Sequence, residues 1–276
     1  MLNYTERLTW LVEDMVSRVP TLSFIDTSEV LVFARAGRSN AEGAFATCHC
    51  LTLPPSEPGY YFWRDRASGR ITRRSEWFVT KSPVVTVGSR TMKYLFSFAF
   101  PRFCDQSLDR SRKEKFYPGA KPWIAKLDTV IHELYHVDPD LGGIRRIERE
   151  DGTYSAHCHG HRFFEEVATM VNTYLATKPD PAVYDFLQDD FAALDAGFGG
   201  VVGTSFHTFP SYPQRYIERL PEQLPCEADA AAAAIEVKPL RAAQQPTLYT
   251  EDDLHIRQFL SDTSRRLVRK GQFKAA

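Results

Sequence analysis

The stretch WIAKLDTVIHELYHV, residues 123–137, decides how the rest of this chain is read. His132 and His136 stand four apart, so on a helix both imidazoles project from one face and can grip one cation. Glu133 lies one step round from His132, close enough to reach a water on that cation without being a ligand. Val130, Ile131, Leu134, Tyr135 and Val137 flank these residues with uncharged side chains, and no proline interrupts them. Asp138-Pro139 ends the run, because the residue before a proline is pushed out of the α region. The spacing therefore predicts a helix over Trp123–Val137.

Two histidines leave a catalytic metal short of ligands, since such a site needs three protein groups and one open position. Of the eight histidines in the chain, five fall between His132 and His161. His159 is the expected third ligand: it precedes Gly160 at the start of a predicted helix over Gly160–Thr177, so a packed element would hold it. His157 and His161 are the alternatives, since alternation through Cys158 and Gly160 could present any of the three. A carboxylate from Glu165 or Glu166, or a thiolate from Cys158, is a weaker candidate. A cation held in this way would be Zn²⁺. It would polarise a carbonyl and lower the pKa of bound water toward about 7, with Glu133 as general base. Developing negative charge would need a donor, and Tyr154, Arg145, Arg146, His161 and His207 all have the chemistry for it.

Working outward, Leu8, Leu11, Val12 and Met15 recur at helical spacing in an opening helix over Tyr4–Ser17. Ser28–Arg35, Phe45–Leu53 and Lys93–Phe100 have the β-branched and aromatic content of strands, and Tyr60–Arg64 with Ile71–Thr80 reads as a hairpin around Ala67-Ser68-Gly69. Asp180-Pro181 caps a helix to Leu194, and Val201–Phe209 is a late strand. Residues 221–249, with four prolines and an alanine run, read as a linker. Thr250, with Asp253 three residues on, caps a final amphipathic helix that stacks Leu254, Ile256, Phe259, Leu260 and Leu267. These elements predict an α+β fold: a curved, mostly antiparallel sheet, a metal-bearing helix beside it and further packed helices. The catalytic unit would span 1–220, followed by the 221–249 linker and the 250–276 helix.

HELYH at 132–136, a glycine-bearing turn at Gly142-Gly143 and then His159-Gly160-x-x-Phe163 resemble the SprT-like metallopeptidases, a zincin family whose third ligand lies in an HGxxF or HGxxW motif. His132–Val137, Pro139, Gly142-Gly143-Ile144-Arg145 and a later histidine are also similar to the phage-type metallopeptidases of bacteria and archaea. The resemblance covers roughly residues 25–175, with specific motifs in 130–164 only. Here Arg146–Ala156 is inserted before the third histidine. The resemblance implies His132, His136 and a downstream histidine as ligands, Glu133 as base, and a zincin-like fold. A SprT-like relation further suggests proteins bound to DNA as substrates, with the basic residues of 110–115 or the C-terminal helix meeting phosphate.

The expectation is a zinc-dependent metallopeptidase acting on protein or peptide. Two other readings use the same residues: a zinc amidase, and a zinc-binding module without turnover in a phage- or DNA-associated assembly. Retention of Glu133 argues against the module, since a structural zinc site has no need of that carboxylate. Composition sets the remaining bounds. A 43% apolar and 25% charged chain of 276 residues has the material for a large core, and a net charge of −1 gives no global attraction to nucleic acid or to an anionic membrane. No secretory signal opens the chain and no apolar run spans a bilayer, so the expected location is the cytoplasm. Five cysteines do not make a disulfide framework, and Cys48-His49-Cys50 lacks the spacing of a zinc knuckle, reading instead as small buried residues.

Overall fold

A computed structural model describes residues 1–39, 42–49, 60–76, 84–140, 145, 158–208, 218–234 and 248–261. The chain opens with a two-residue strand, β1 (Leu2–Asn3), and helix α1 (Tyr4–Arg18). Asn3 caps α1 by accepting from the Glu6 amide, and Leu8, Leu11, Val12 and Met15 are buried, as their spacing predicts. Strands β2 (Val30–Gly37) and β3 (Ala46–Cys48) come next, then the hairpin of β4 (Tyr60–Arg64) and β5 (Ile71–Glu76). Strands β6 (Val84–Val87), β7 (Arg90–Thr91) and β8 (Tyr94–Pro101) follow, leading to helices α2 (Ile124–Tyr135) and α3 (Phe163–Ala176).

The main sheet has the order β2-β8-β3. All eight residues of β8 are buried, which is why YLFSFAFP is a nearly continuous apolar run rather than an alternating one. Its long pairing with β2, from Val30↔Tyr94 to Gly37↔Pro101, is parallel, whereas β3 runs antiparallel along its other edge. The long parallel pairing departs from the expectation of a mostly antiparallel sheet, although five of the eight strand pairings among the described residues are antiparallel. Apolar content marks a strand but carries no direction, and the chain leaves β2 through the β4–β5 hairpin before it returns as β8. At the end of β2, a Cβ on Gly37 would come within 2.5 Å of the Ala99 Cβ, so glycine permits the two strands to close there.

Beyond α3, the helix expected over 180–194 is broken into α4 (Pro181–Tyr184), a 3₁₀ turn at Asp185–Leu187, and α5 (Phe191–Phe198). Asp190 restarts the helix as a new N-cap on the Ala193 amide. The Asp189 carbonyl freed by the break accepts from the buried ammonium of Lys126 on α2 at 2.6 Å. Strand β9 (Val201–Phe206) then pairs parallel with β1.

The C-terminal part needs a larger correction. Thr250 and Asp253 do form a capping box, but it closes one 3₁₀ turn, Glu251–Asp253. The chain then continues as a strand, Leu254–Phe259, antiparallel to β9 from Leu254↔Phe206 to Phe259↔Val201. The apolar residues at 254, 256 and 259 fit neither period cleanly, and the open edge of β9 selects the strand. Residues 262–276, where the helix was expected to continue, lie outside the described residues. The stretch expected as a linker begins within β10 (Glu218–Leu224) and contains α6 (Glu227–Ala232) and β11 (Leu248–Tyr249), which makes the C-terminal strand β12. β10 pairs with β5 in a sheet ordered β10-β5-β4, and Ile71, Leu220 and Ala230 form a small core of their own there.

The chain is thus α+β with several small sheets. Its principal core joins α1, the β2-β8-β3 sheet, α2 and α3. Among the described residues, no helix is long and apolar enough to cross a membrane.

Candidate metal centre

Helix α2 lies against β3 on one side and α3 on the other, and every one of its residues except His132 is buried. Burial on all sides explains the apolar content of the motif's flanks. It also forces the polar residues on the helix to find partners. Asp128, 1% exposed, is held by Lys113 in an ion pair and accepts a 2.6 Å hydrogen bond from the Tyr117 hydroxyl; Lys113 also donates to Thr129 Oγ1 at 3.0 Å. Lys113 is therefore turned inward, and the basic segment 110–115 loses one of the charges expected to meet phosphate.

At its C-terminal end α2 presents His132 and His136 on one face, with Nε2 atoms 3.1 Å apart. The loop before α3 brings His159 to the same place, its Nε2 also 3.1 Å from that of His136. Two nitrogens each about 2 Å from one tetrahedral ion lie roughly 3.3 Å apart, so this spacing suits a common cation. Hydrogen bonding alone does not account for the cluster. An imidazole Nε2 has one in-plane site, which either donates or accepts once, so His136 cannot satisfy both neighbours. These three residues form a group that could hold a metal ion, and among the described residues no other set of three or more His, Cys, Asp or Glu does so.

Burial is the main force on the two helix histidines. It pushes His136 down to about 3, with His159 and Arg145 adding to the effect, and His132 down to about 2, with His136, Lys113 and His159 adding. Both rings are thereby kept in the neutral form that a metal requires. Their opposite nitrogens, Nδ1 of His132 and of His136, are buried and lack a hydrogen-bond partner among the described residues. Packing orients the rings instead. The centroid of buried Phe163 lies 5.0 Å from those of both His132 and His136 and 4.6 Å from that of His159, so one phenyl ring supports all three imidazoles.

Glu133 is 7% exposed, and its Oε2 accepts a 2.7 Å hydrogen bond from the backbone N–H of Cys48 on β3. The strand thus fixes the carboxylate that the helix supplies. Burial pushes Glu133 up to about 7, against the opposing pull of the Cys48 amide and of Lys113 and Arg35. A carboxyl near neutrality can both take and release a proton at physiological pH.

Among the other expected site residues, His161 is exposed and does not join the cluster. His157, Tyr154 and Arg146 lie outside the described residues. Arg145 caps α2: its backbone N–H donates to the His136 carbonyl at 2.6 Å, its Nε to the Tyr135 carbonyl at 3.0 Å, and its guanidinium lies over the Tyr135 ring. Glu166 accepts from the Tyr135 hydroxyl at 2.8 Å, while neither Glu165 nor Cys158 enters the group. His207 stacks on His255, their centroids 4.0 Å apart, at the β9–β12 end of the molecule. Cys48 is buried, and His49 bonds to Ser97 Oγ at 2.7 Å.

Three contributors escaped the sequence reading. The Cys48 amide carries no side-chain signal at all. Phe163 is legible as the last residue of HGxxF and as an apolar, core-facing residue of its predicted helix, but not as a ring set against three histidines, and Lys113 only as one member of a basic cluster. Comparison of the chain with models of protein families, with curated proteins and with solved structures finds no match.

Proposed function

We propose that this chain is a zinc-dependent metallopeptidase of zincin-like architecture, with His132, His136 and His159 as metal ligands and Glu133 as general base. The observation that carries the reading is the convergence of three Nε2 atoms at the end of the helix that also carries Glu133, whose buried carboxylate a neighbouring strand holds in place. Zinc bound by the three imidazoles would supply Lewis acidity, polarising a scissile carbonyl and making water a stronger acid. Glu133 would accept the proton of the attacking water and pass it to the departing amine, a two-way role suited to a carboxyl poised near neutrality. The Cys48 amide would keep that carboxylate from swinging away during the transfer. Neutral His132 and His136, set on Phe163, would hold the ion without a prior loss of protons.

The choice of zinc follows from a donor set of three neutral nitrogens, which suits a tetrahedral, borderline-soft cation better than magnesium or calcium. The DNA-linked variant of this reading stays an extension by resemblance alone.

The deciding experiment measures bound zinc and cleavage of a denatured protein for the native chain and for Glu133→Gln. Stoichiometric zinc in both, with hydrolysis by the native chain alone, is the expected result. Zinc in both with hydrolysis in neither would replace the peptidase by a binding module. Cleavage of small amides in place of peptides would make it an amidase, and absence of zinc would end the reading. In the same assay His159→Ala should lose the metal and His161→Ala should keep it.

A further inference from the structure

The sheet β10-β5-β4 has two unlike faces. One carries Ile71 and Leu220 against Ala230 of α6, and buried Arg74 reaches across to donate to the Ala230 and Ala231 carbonyls at 2.8 and 2.7 Å. Trp63, Arg73 and Arg219 of the other face line a groove of about 640 Å³, to which Leu220 also contributes. Across it, the register pairs Trp63 with Arg73 and Arg73 with Arg219, so these three side chains share a face in one row that crosses all three strands. Arg66, from the β4–β5 turn, lines the same groove. Arg66, Arg73 and Arg219 are exposed, and none of their guanidinium groups makes a hydrogen bond or ion pair with a described residue. Neighbouring arginines show what such pairing looks like: Arg64 is matched with Glu227, and Arg70 donates to the Gln223 carbonyl.

We propose that this groove docks acidic segments of polypeptides. Three guanidiniums without a partner among the described residues, those of Arg73 and Arg219 on neighbouring strands about 4.8 Å apart and that of Arg66 on the turn, offer bidentate forks to carboxylates, which lysines would not. The occupant is peptide rather than nucleic acid because the groove also contains Asp65 and Glu222. A nucleic-acid strand brings a charge with every nucleotide and needs an unbroken positive track, while a peptide can place uncharged residues beside those two carboxylates. Pro221 and the partly buried Trp63 supply surface for such residues. Docking as such is independent of the metal. Its use to select acidic substrates rests on the peptidase reading above.

The test is fluorescence anisotropy with the zinc-loaded Glu133→Gln variant of the 276-residue chain, which cannot consume the probe. A labelled peptide rich in Asp and Glu should bind, and its Asn/Gln counterpart should not. The double variant Arg73→Glu/Arg219→Glu should weaken binding about tenfold or more. Arg73→Lys, which keeps the charge and loses the fork, should weaken it by less. Added salt should weaken binding throughout. Because both positions are exposed, urea midpoints matching the parent will show that the variants are folded. Equal binding of the uncharged peptide, or no effect of the arginine variants, overturns the proposal. So does a labelled oligothymidylate that outcompetes the acidic peptide and is weakened by the same substitutions. Acidic-peptide binding without cleavage by the native chain would keep the docking site and remove the peptidase; cleavage without docking would do the reverse.

Discussion

Phe163 does for the three imidazoles what hydrogen-bonded carboxylates do in many metal sites. It touches every ring of the cluster, and the Nδ1 atoms of His132 and His136 have no partner among the described residues to take over. Phe163→Ala should therefore lower zinc affinity about tenfold to a hundredfold, the range seen when outer supports are lost, while His159 itself stays intact. Competition titration with a chromophoric chelator reads this directly, and an unchanged affinity would place ring orientation elsewhere. His49 supplies a second residue-level prediction. Buried against Phe33 and bonded to Ser97, it is pushed down to about 4 by burial, with Arg35 adding to the effect. Below about pH 6.5 the unfolded chain takes up a proton that folded His49 refuses, so stability falls as pH drops toward 4, by about 3 kcal/mol in total. His49→Gln, which keeps a polar partner for Ser97, should flatten urea stability across that window relative to the native chain. An identical pH dependence in the two would assign the effect to other groups.

At the scale of elements, α2 matters because it is buried nearly all round, and three separate pieces of chain fix it. β3 reaches Glu133 through the Cys48 amide, α3 brings Phe163 beneath the histidines, and the 105–117 segment supplies Lys113 and Tyr117 to Asp128. The C-terminal strand shows how an element can be misjudged. Its capping box is real, yet the segment pairs with β9 and inserts Phe259, 0% exposed, against Phe100 at a 5.2 Å centroid distance. Phe259→Ala should cost about 3–5 kcal/mol in urea unfolding, as expected for a large aromatic lost from a closed core. A cost below about 1 kcal/mol would mean that the strand is not docked in solution. Much of the element list was nonetheless legible. The opening helix, the β4–β5 hairpin and strand β8 lie close to where their periodicity and turn residues put them. The 180–194 helix was misread because a second capping aspartate, Asp190, competes with the apolar pattern.

For the whole molecule, the consequence is a coupling between metal and fold. The three histidines come from the C-terminal end of α2 and from the loop entering α3, so an ion held by all three would tie two packed elements together. Zinc at a hundred times its dissociation constant should add about 2.7 kcal/mol to stability. Removing it with a chelator should lower the thermal midpoint of the native chain and leave that of His132→Ala/His136→Ala unmoved. Equal chelator shifts in the two would place the metal outside this cluster. The β10-β5-β4 unit has its own small core of Ile71, Leu220 and Ala230, distinct from the core around α2. Its arginine groove therefore stands as a surface feature with its own support.

By itself the sequence determined that two imidazoles share one helix face with a carboxylate one step round from it, that the next candidate nitrogens follow a turn, and that helices and strands mix in one chain. Periodicity and ligand spacing are local properties, and a linear string carries them in full. Tertiary structure alone decided that His159 rather than exposed His161 meets the first two rings, and that a backbone amide of β3 holds Glu133. It also decided that β2 and β8 run parallel and that Leu254–Phe259 is a strand. Each of these depends on which distant segment offers an unpaired edge, a free donor or a packing face, and no local pattern encodes that partner.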